Sequence, residues 1–276
     1  FNHGGSEAQK QEWLNKIAAG ETIIAFAFAE AQGRYNFADL TTTAKKNGGG
    51  YTVSGQKAVV LGAPWADALI VTARTAGGQR DAKGVSVFIV DKKAKGVATR
   101  DYPTIDGLHA SEVTFENAPA TLIGTADDGL KLIEQVTDEA IAAHASEAVG
   151  AMKVLLNATV EYSKTRKQFG VPIGKFQVLQ HRMVDMFMNT EQSASITYMV
   201  TLKLGESDVE RKKAASAAKV QIGKAGRFLG QWAVQIHGGM GMTDELNVGH
   251  YFKRLTMLDT LYGNVDHHLK RYAELG

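Results

Sequence analysis

Residues 162–177 read Tyr-Ser-Lys-Thr-Arg-Lys-Gln-Phe-Gly-Val-Pro-Ile-Gly-Lys-Phe-Gln, so Lys164, Arg166 and Lys167 stand just before a Gly-Val-Pro-Ile-Gly break. Cations gather at a helix end whenever the macrodipole favours them, with no ligand involved. The same cluster could also clamp an anion, because Arg166 offers a planar fork that matches paired phosphate oxygens. A second candidate is 235–241, Gln-Ile-His-Gly-Gly-Met-Gly. A phosphate-cradling glycine loop follows a strand and opens a helix, so that helix N–H groups face the anion. Here the glycines close a helical pattern, and a C-cap, where glycine accepts left-handed backbone angles, is the plain reading.

Other chemistries lack their residues. The chain has no cysteine, which removes disulfides, thiolate nucleophiles, zinc–thiolate sites and iron–sulfur clusters. Its eight histidines form no His-Glu-x-x-His, and no Glu-x-x-His pair suits a di-iron bundle. His267 and His268 are adjacent and would face different directions on a helix. No Gly-x-Ser-x-Gly elbow supports a serine hydrolase.

The elements that must position these residues differ between the two halves. Prolines stand at 64, 103, 119 and 172 and nowhere later, and the early glycines include Asn47-Gly48-Gly49-Gly50 and Gly77-Gly78. Such punctuation suits short strands, and its absence suits long helices. The front half therefore reads as β-rich. Segments 40–44 and 51–60 flank the Asn-Gly turn as a hairpin, 68–73 and 85–90 are short β-branched runs, and 113–115 closes the set before Pro119. This spacing predicts a small barrel or sandwich. The back half carries three long helical patterns: about 127–164, from about Lys175 through Leu204, and from near Asp208 to Gly238-Gly239.

Composition bounds the rest. With 276 residues, 44% of them hydrophobic, the chain is too apolar for disorder and long enough for two domains. Thirty-one Lys and Arg against 29 Asp and Glu leave a net charge of only +2, which argues against a nucleic-acid partner. No apolar stretch approaches the roughly 18 residues of a membrane span. The opening Phe1-Asn2-His3-Gly4-Gly5 lacks an initiator Met and a signal pattern and reads as a cut edge. Any compartment is compatible, a reducing cytoplasm being the easier fit.

Taken together and in this order, the two motifs resemble those of the acyl-CoA dehydrogenase family of flavoproteins. They are Tyr-x-Lys-Thr-Arg-Lys-Gln-Phe-Gly-x-Pro-Ile-Gly-x-Phe-Gln-x-x-Gln-His over 162–181 and Gln-x-His-Gly-Gly-Met-Gly-Met-Thr-Asp-Glu over 235–245. Glu30 to Gly33 and Tyr51-x-Val-x-Gly-Gln-Lys over 51–57 resemble that family's β-domain, and 7–21 the end of its N-terminal helical domain. Glu147-Ala-Val-Gly-Ala-Met and the tail from Tyr262 look nearest to small subunits of pimeloyl-CoA- or steroid-CoA-type dehydrogenases.

The resemblance implies an α+β chain. It has a remnant of the N-terminal helical domain at 1–20, a middle β-barrel or sandwich domain at 21–123, and a C-terminal four-helix bundle at 124–276. It implies FAD, with Arg166, Gln168 and Phe169 touching the cofactor of a facing protomer, and Gln235, Gly238 and Gly239 at its pyrophosphate and adenosine end. It further implies a homo- or hetero-oligomer, such as a dimer of dimers, and an electron-transfer flavoprotein or similar acceptor.

The implied reaction is α,β-dehydrogenation of an acyl-CoA thioester, in which a carboxylate takes the α-proton and the β-hydrogen leaves as hydride to the flavin. Two departures accompany it. Gly263 stands where many relatives carry the glutamate base, which leaves Glu139 on the first bundle helix and Asp266 as candidate bases. Val59 and Leu61 fall where the family places a flavin-facing Trp and a Thr hydroxyl. A non-catalytic subunit that completes its neighbour's FAD site, and an acyl-CoA oxidase, are the alternative activities.

Overall fold

The computed structural model describes residues 1–276, and its first helix begins on a local signal. Ser6 Oγ accepts from Gln9 N while Gln9 Oε1 accepts from Ser6 N, a capping box that starts α1 (Glu7–Ala18). Seven strands follow: β1 (Ile24–Ala27), β2 (Thr43–Asn47), β3 (Gly50–Leu61), β4 (Ala68–Arg74), β5 (Val85–Asp91), β6 (Val97–Pro103) and β7 (His109–Ile123). The Asn-Gly hairpin forms, with β2 and β3 antiparallel from Asn47↔Gly50 to Thr43↔Ser54, but its first strand runs 43–47 rather than the expected 40–44, reaching right up to the turn.

The ring β4–β2–β3–β7–β5 closes because β5 also pairs β4, so the barrel rather than the sandwich is realised. The closure between β2 and β4 is narrow, one parallel pair at Thr43↔Arg74. Phe88, Phe115, Leu69, Val53 and Val113 fill the interior. Outside the ring, β1 adds parallel to β4 and β6 pairs only β7. Neither was expected. Ile24–Ala27 lies in an unbroken apolar run, where periodicity cannot tell strand from helix, and β6 is an edge strand with mostly exposed residues.

Strand β7 runs on through Pro119, beyond the expected 113–115. Between Phe115 and Ala118 it carries one residue more than β3 does between Gly55 and Val53, and Asn117 takes φ 50. That is a bulge, the setting in which a proline is tolerated within a ladder.

The chain divides into two units at 136/137. Phe1, Trp13, Leu130, Leu132 and Ile133 share a core with Leu40, Val87 and Ile123, so α1 and the first turns of α2 (Gly129–Thr165) go with the barrel.

In the second unit the later turns of α2 are followed by the two-residue strands β8 (Lys167–Gln168) and β9 (Val171–Pro172), then α3 (Gln177–Lys203), α4 (Asp208–His237), α5 (Asn247–Thr260) and α6 (Val265–Glu274). One core draws Met152 and Leu155 from α2, Met186 from α3, Ile222, Ala225 and Leu229 from α4, and Leu255 and Leu258 from α5. The three long helices lie where their periodicity puts them. Ser207 caps α4 by accepting from Glu210 N. α6 went unforeseen: it is only ten residues long, and although Val265, Leu269 and Tyr272 form a short apolar stripe, its one buried side chain is a histidine, His268.

Candidate functional site

At the end of α2, Arg166 N still donates to Tyr162 O (2.9 Å), and Arg166 O accepts from Ile173 N (2.8 Å). The chain between them is the β8–β9 hairpin, whose turn residues Phe169 and Gly170 have φ 53 and 80. Positive φ at both positions matches the twist of paired strands, but it is an uncommon conformation for phenylalanine. The side chain so held is 92% exposed and meets Phe176 edge-on, ring centroids 6.1 Å apart.

At the end of α4, Gly238 N donates to Gln235 O with φ 61 and ψ −140, a backbone shape that belongs to glycine. The helix-cap reading of Gly238 therefore holds. Gly239 needs another reason. A side chain there would meet nothing within 4 Å, so neither packing nor φ demands glycine, and its absence leaves bare backbone.

These two helix ends face one another across a cavity of about 560 Å³. Tyr162, Arg166 and Gln168 line it from the α2 side, and His237, Gly238, Gly239, Met240 and Thr243 from the α4 side, with Ile173 and Ile236. Tyr162 braces the two helices: its hydroxyl donates to His237 O (3.3 Å), and its ring lies 4.3 Å from the His237 ring. Arg166 is the one fixed charge in this lining, which contains no Asp or Glu. A guanidinium, bare backbone and aliphatic patches suit a ligand with phosphates at one place and a flat ring at another.

Of the six residues proposed for cofactor contact, Arg166, Gln168, Gly238 and Gly239 line this groove. Phe169 stands at the hairpin tip, and Gln235 is exposed on α4 outside the lining. Tyr162 and His237 lie within the two motifs but had no role assigned. Tyr162 precedes Arg166 by one helical turn, a spacing that puts both on one face.

The candidate bases lie elsewhere. Glu139 is half-buried on α2. Its neighbour Asp138 is fully buried, accepting from Arg211 Nε (3.1 Å, α4) and Arg271 Nη1 (2.8 Å, α6). At 1.5 Å per residue, Glu139 and the Arg166 end of the same helix are about 40 Å apart. Asp266, exposed in the first turn of α6, lines a different cavity with Lys224, Arg227 and Asp259.

Gly263 is buried with φ 115, and an added Cβ would lie 2.5 Å from His267 Cδ2 and 2.6 Å from His268 Nε2. No carboxylate fits there without moving both imidazoles.

In the barrel unit, Val59 sits where the β3–β7 register shifts, with φ 51 and a half-exposed side chain. A β-branched residue at positive φ is strained, and strain of this kind collects at functional positions. Its N–H points at Glu112 Oε1 (3.4 Å). Leu61 is partly buried.

Comparison with known proteins finds two family models along the chain. Residues 25–118 match the family model "Acyl-CoA dehydrogenase, middle domain" and 127–274 "Acyl-CoA dehydrogenase, C-terminal domain". An isovaleryl-CoA dehydrogenase from Oryza sativa subsp. japonica is 30% identical over 257 residues, 90% of this chain and 62% of the relative. The structure of butyryl-CoA dehydrogenase from Megasphaera elsdenii superposes with a TM-score of 0.91 at 26% identity, over 98% of this chain and 72% of that one. A structure described as PigA with FAD and proline gives 0.92 at 26% identity, with 98% and 72% covered. The chain spans 61% to 68% of the length of eight curated relatives. No helix is long and apolar enough to cross a membrane.

Proposed function

We propose a function from one premise: this chain belongs to the acyl-CoA dehydrogenase family. The assembled protein carries FAD and oxidises the Cα–Cβ bond of an acyl-CoA thioester. The observation that carries this reading is the convergence of Arg166 and Gly239 on one groove, where the donor set fits a dinucleotide pyrophosphate.

When bound, FAD supplies the two-electron acceptor. The chain supplies the rest. Arg166 offsets the phosphate charge, the bare backbone at Gly239 admits close approach, and Phe169 presents an apolar ring at the rim. Glu139 takes the α-proton; of the two carboxylates it is the half-buried one, and a drier site suits a base. Asp266 is the alternate acceptor.

The distance of about 40 Å along α2 exceeds what one dinucleotide spans, so Arg166 and Glu139 of one chain serve different flavins. The site is therefore shared between copies or with a related subunit, in line with an oligomer built on the C-terminal helices as a four-helix bundle. An N-terminal helical domain that includes 1–20, an electron-transfer flavoprotein as acceptor and a cytoplasmic location belong to the same reading. The sealed space at Gly263 favours a second reading, in which this subunit completes a neighbour's FAD site without a base of its own.

Anaerobic mixing with a series of acyl-CoA thioesters tests both. Bleaching of the flavin band by the purified chain, abolished in Glu139→Gln with FAD retained, supports the catalytic reading. Bleaching retained in that variant moves the base to Asp266. Bleaching only after a partner subunit is added establishes the second reading.

A further inference from the structure

The dinucleotide groove has a charge imbalance. A pyrophosphate brings two negative charges, and the lining offers one fixed cation, Arg166. The nearby Lys164 is turned to Glu161 (2.6 Å), and Lys167 is not part of the lining. Besides Arg166, the ionisable side chains of the groove are Tyr162 and His237.

His237 is held in a way that leaves one nitrogen for a ligand. The residue is 4% exposed, and Nδ1 lies 2.7 Å from Ala233 O. A carbonyl only accepts, so Nδ1 keeps its hydrogen and Nε2 is the nitrogen whose proton comes and goes. Neutral, Nε2 presents a lone pair and would repel a phosphate oxygen. Protonated, it donates a charge-assisted bond.

Of the groups lining the groove, Tyr162 lies against the ring, and Arg166, Gln168, Met240 and Thr243 share the lining, which holds no carboxylate. A bound dianion favours the charged imidazole over the neutral one.

We propose that His237 is the second cation of this groove, so that binding of the FAD pyrophosphate is coupled to uptake of a proton at His237 Nε2. This rests on the dinucleotide reading above and adds a residue and a proton to it. Nothing is oxidised or cleaved in the step: a solvent proton moves to Nε2 and forms an N–H···O bond to phosphate.

The test is FAD titration into flavin-stripped, assembled protein between pH 5.5 and 8.5, a window in which free FAD itself does not titrate. Affinity should fall with rising pH, approaching about tenfold per unit at the upper end. Calorimetry near pH 8, in two buffers of different ionisation heat, should show uptake approaching about one proton per FAD. His237→Gln should flatten the pH dependence and remove the uptake. Absence of uptake by the unaltered protein, or an unchanged slope in His237→Gln, overturns the proposal. If that variant fails to fold, the two-buffer measurement decides alone. Arg166→Ala separates the layers: unchanged FAD affinity sinks the dinucleotide reading, whereas weakened binding with no proton uptake in the parent sinks only the role of His237.

Discussion

The Lys57 ammonium lies 2.7 Å from Glu30 Oε1 inside the barrel unit, with the two side chains 0% and 1% exposed. Lys57 also donates to Thr72 Oγ1 (3.0 Å), and Glu30 accepts from Thr41 N and Oγ1, Thr42 N and Gln32 Nε2. The pair thereby ties segment 30–42 to β3. Burial opposes ionisation of Glu30, but the Lys57 charge and the bonds from Lys57, Thr41 and Gln32 outweigh it and bring its pKa to about 2.

Breaking one side of such a pair strands a buried charge. Lys57→Met should therefore lower unfolding free energy by about 3–5 kcal/mol in urea titrations, and the double variant with Glu30→Gln should recover part of that loss. A loss under about 1 kcal/mol would show that water reaches the site. The depressed pKa sets the pH sense: the stabilisation is present above about 4.5, the unfolded value, and is lost as pH falls toward about 2.

Asp138 makes the corresponding junction in the helical unit, with no exposed surface of its own and two guanidiniums from α4 and α6 upon it. Asp138→Asn leaves Arg211 buried and less well neutralised, and should loosen α6 first. Hydrogen exchange across 265–274 should accelerate at least tenfold, with a global loss of about 2–4 kcal/mol. Unchanged exchange in α6 would show that His268 and the α4 packing hold it without the carboxylate.

These two networks also mark how far the sequence is legible. Helix periodicity locates α2, α3 and α4, and the Asn-Gly turn locates the β2–β3 hairpin, because burial of apolar faces and glycine backbone freedom are local signals. The Arg166 and Gly239 motifs can be read as candidates, and only their convergence, 73 residues apart in sequence, needs the fold. The Glu30–Lys57 pair and the Asp138 junction carry no pattern, since a buried ion pair looks like any other charged residues until its partner is placed. Gly263 is a third case. The resemblance marks it as a missing glutamate, whereas the packing shows a position reserved by two histidines.

That packing yields a prediction about restoring the family carboxylate. With φ 115 and imidazoles 2.5 and 2.6 Å from the would-be Cβ, Gly263→Glu must displace the 262–264 turn. It should lower the melting temperature by about 5 °C or more and add no flavin bleaching with acyl-CoA. A stable Gly263→Glu protein with increased bleaching would show that the turn reorganises and that the glycine alone limits the chemistry.

The same histidines make the helical unit acid-sensitive. His268 is 1% exposed, its Nε2 3.0 Å from Tyr262 O and its Nδ1 3.3 Å from Ser216 Oγ. Burial, then the charges of His267, Lys219 and Arg271, push its pKa down to about 3 from 6.5. Burial likewise lowers His144 and His267. Between the folded and unfolded values the unfolded chain binds more protons, so stability rises with pH there and falls as the solution is acidified below about 6.5. From pH 7.5 to 5, His268 should remove about 2 kcal/mol of unfolding free energy. His268→Gln, whose amide nitrogen can keep a donor toward Tyr262 O, should start less stable but show a shallower decline. Parallel declines for the two proteins would place the acid sensitivity on other groups.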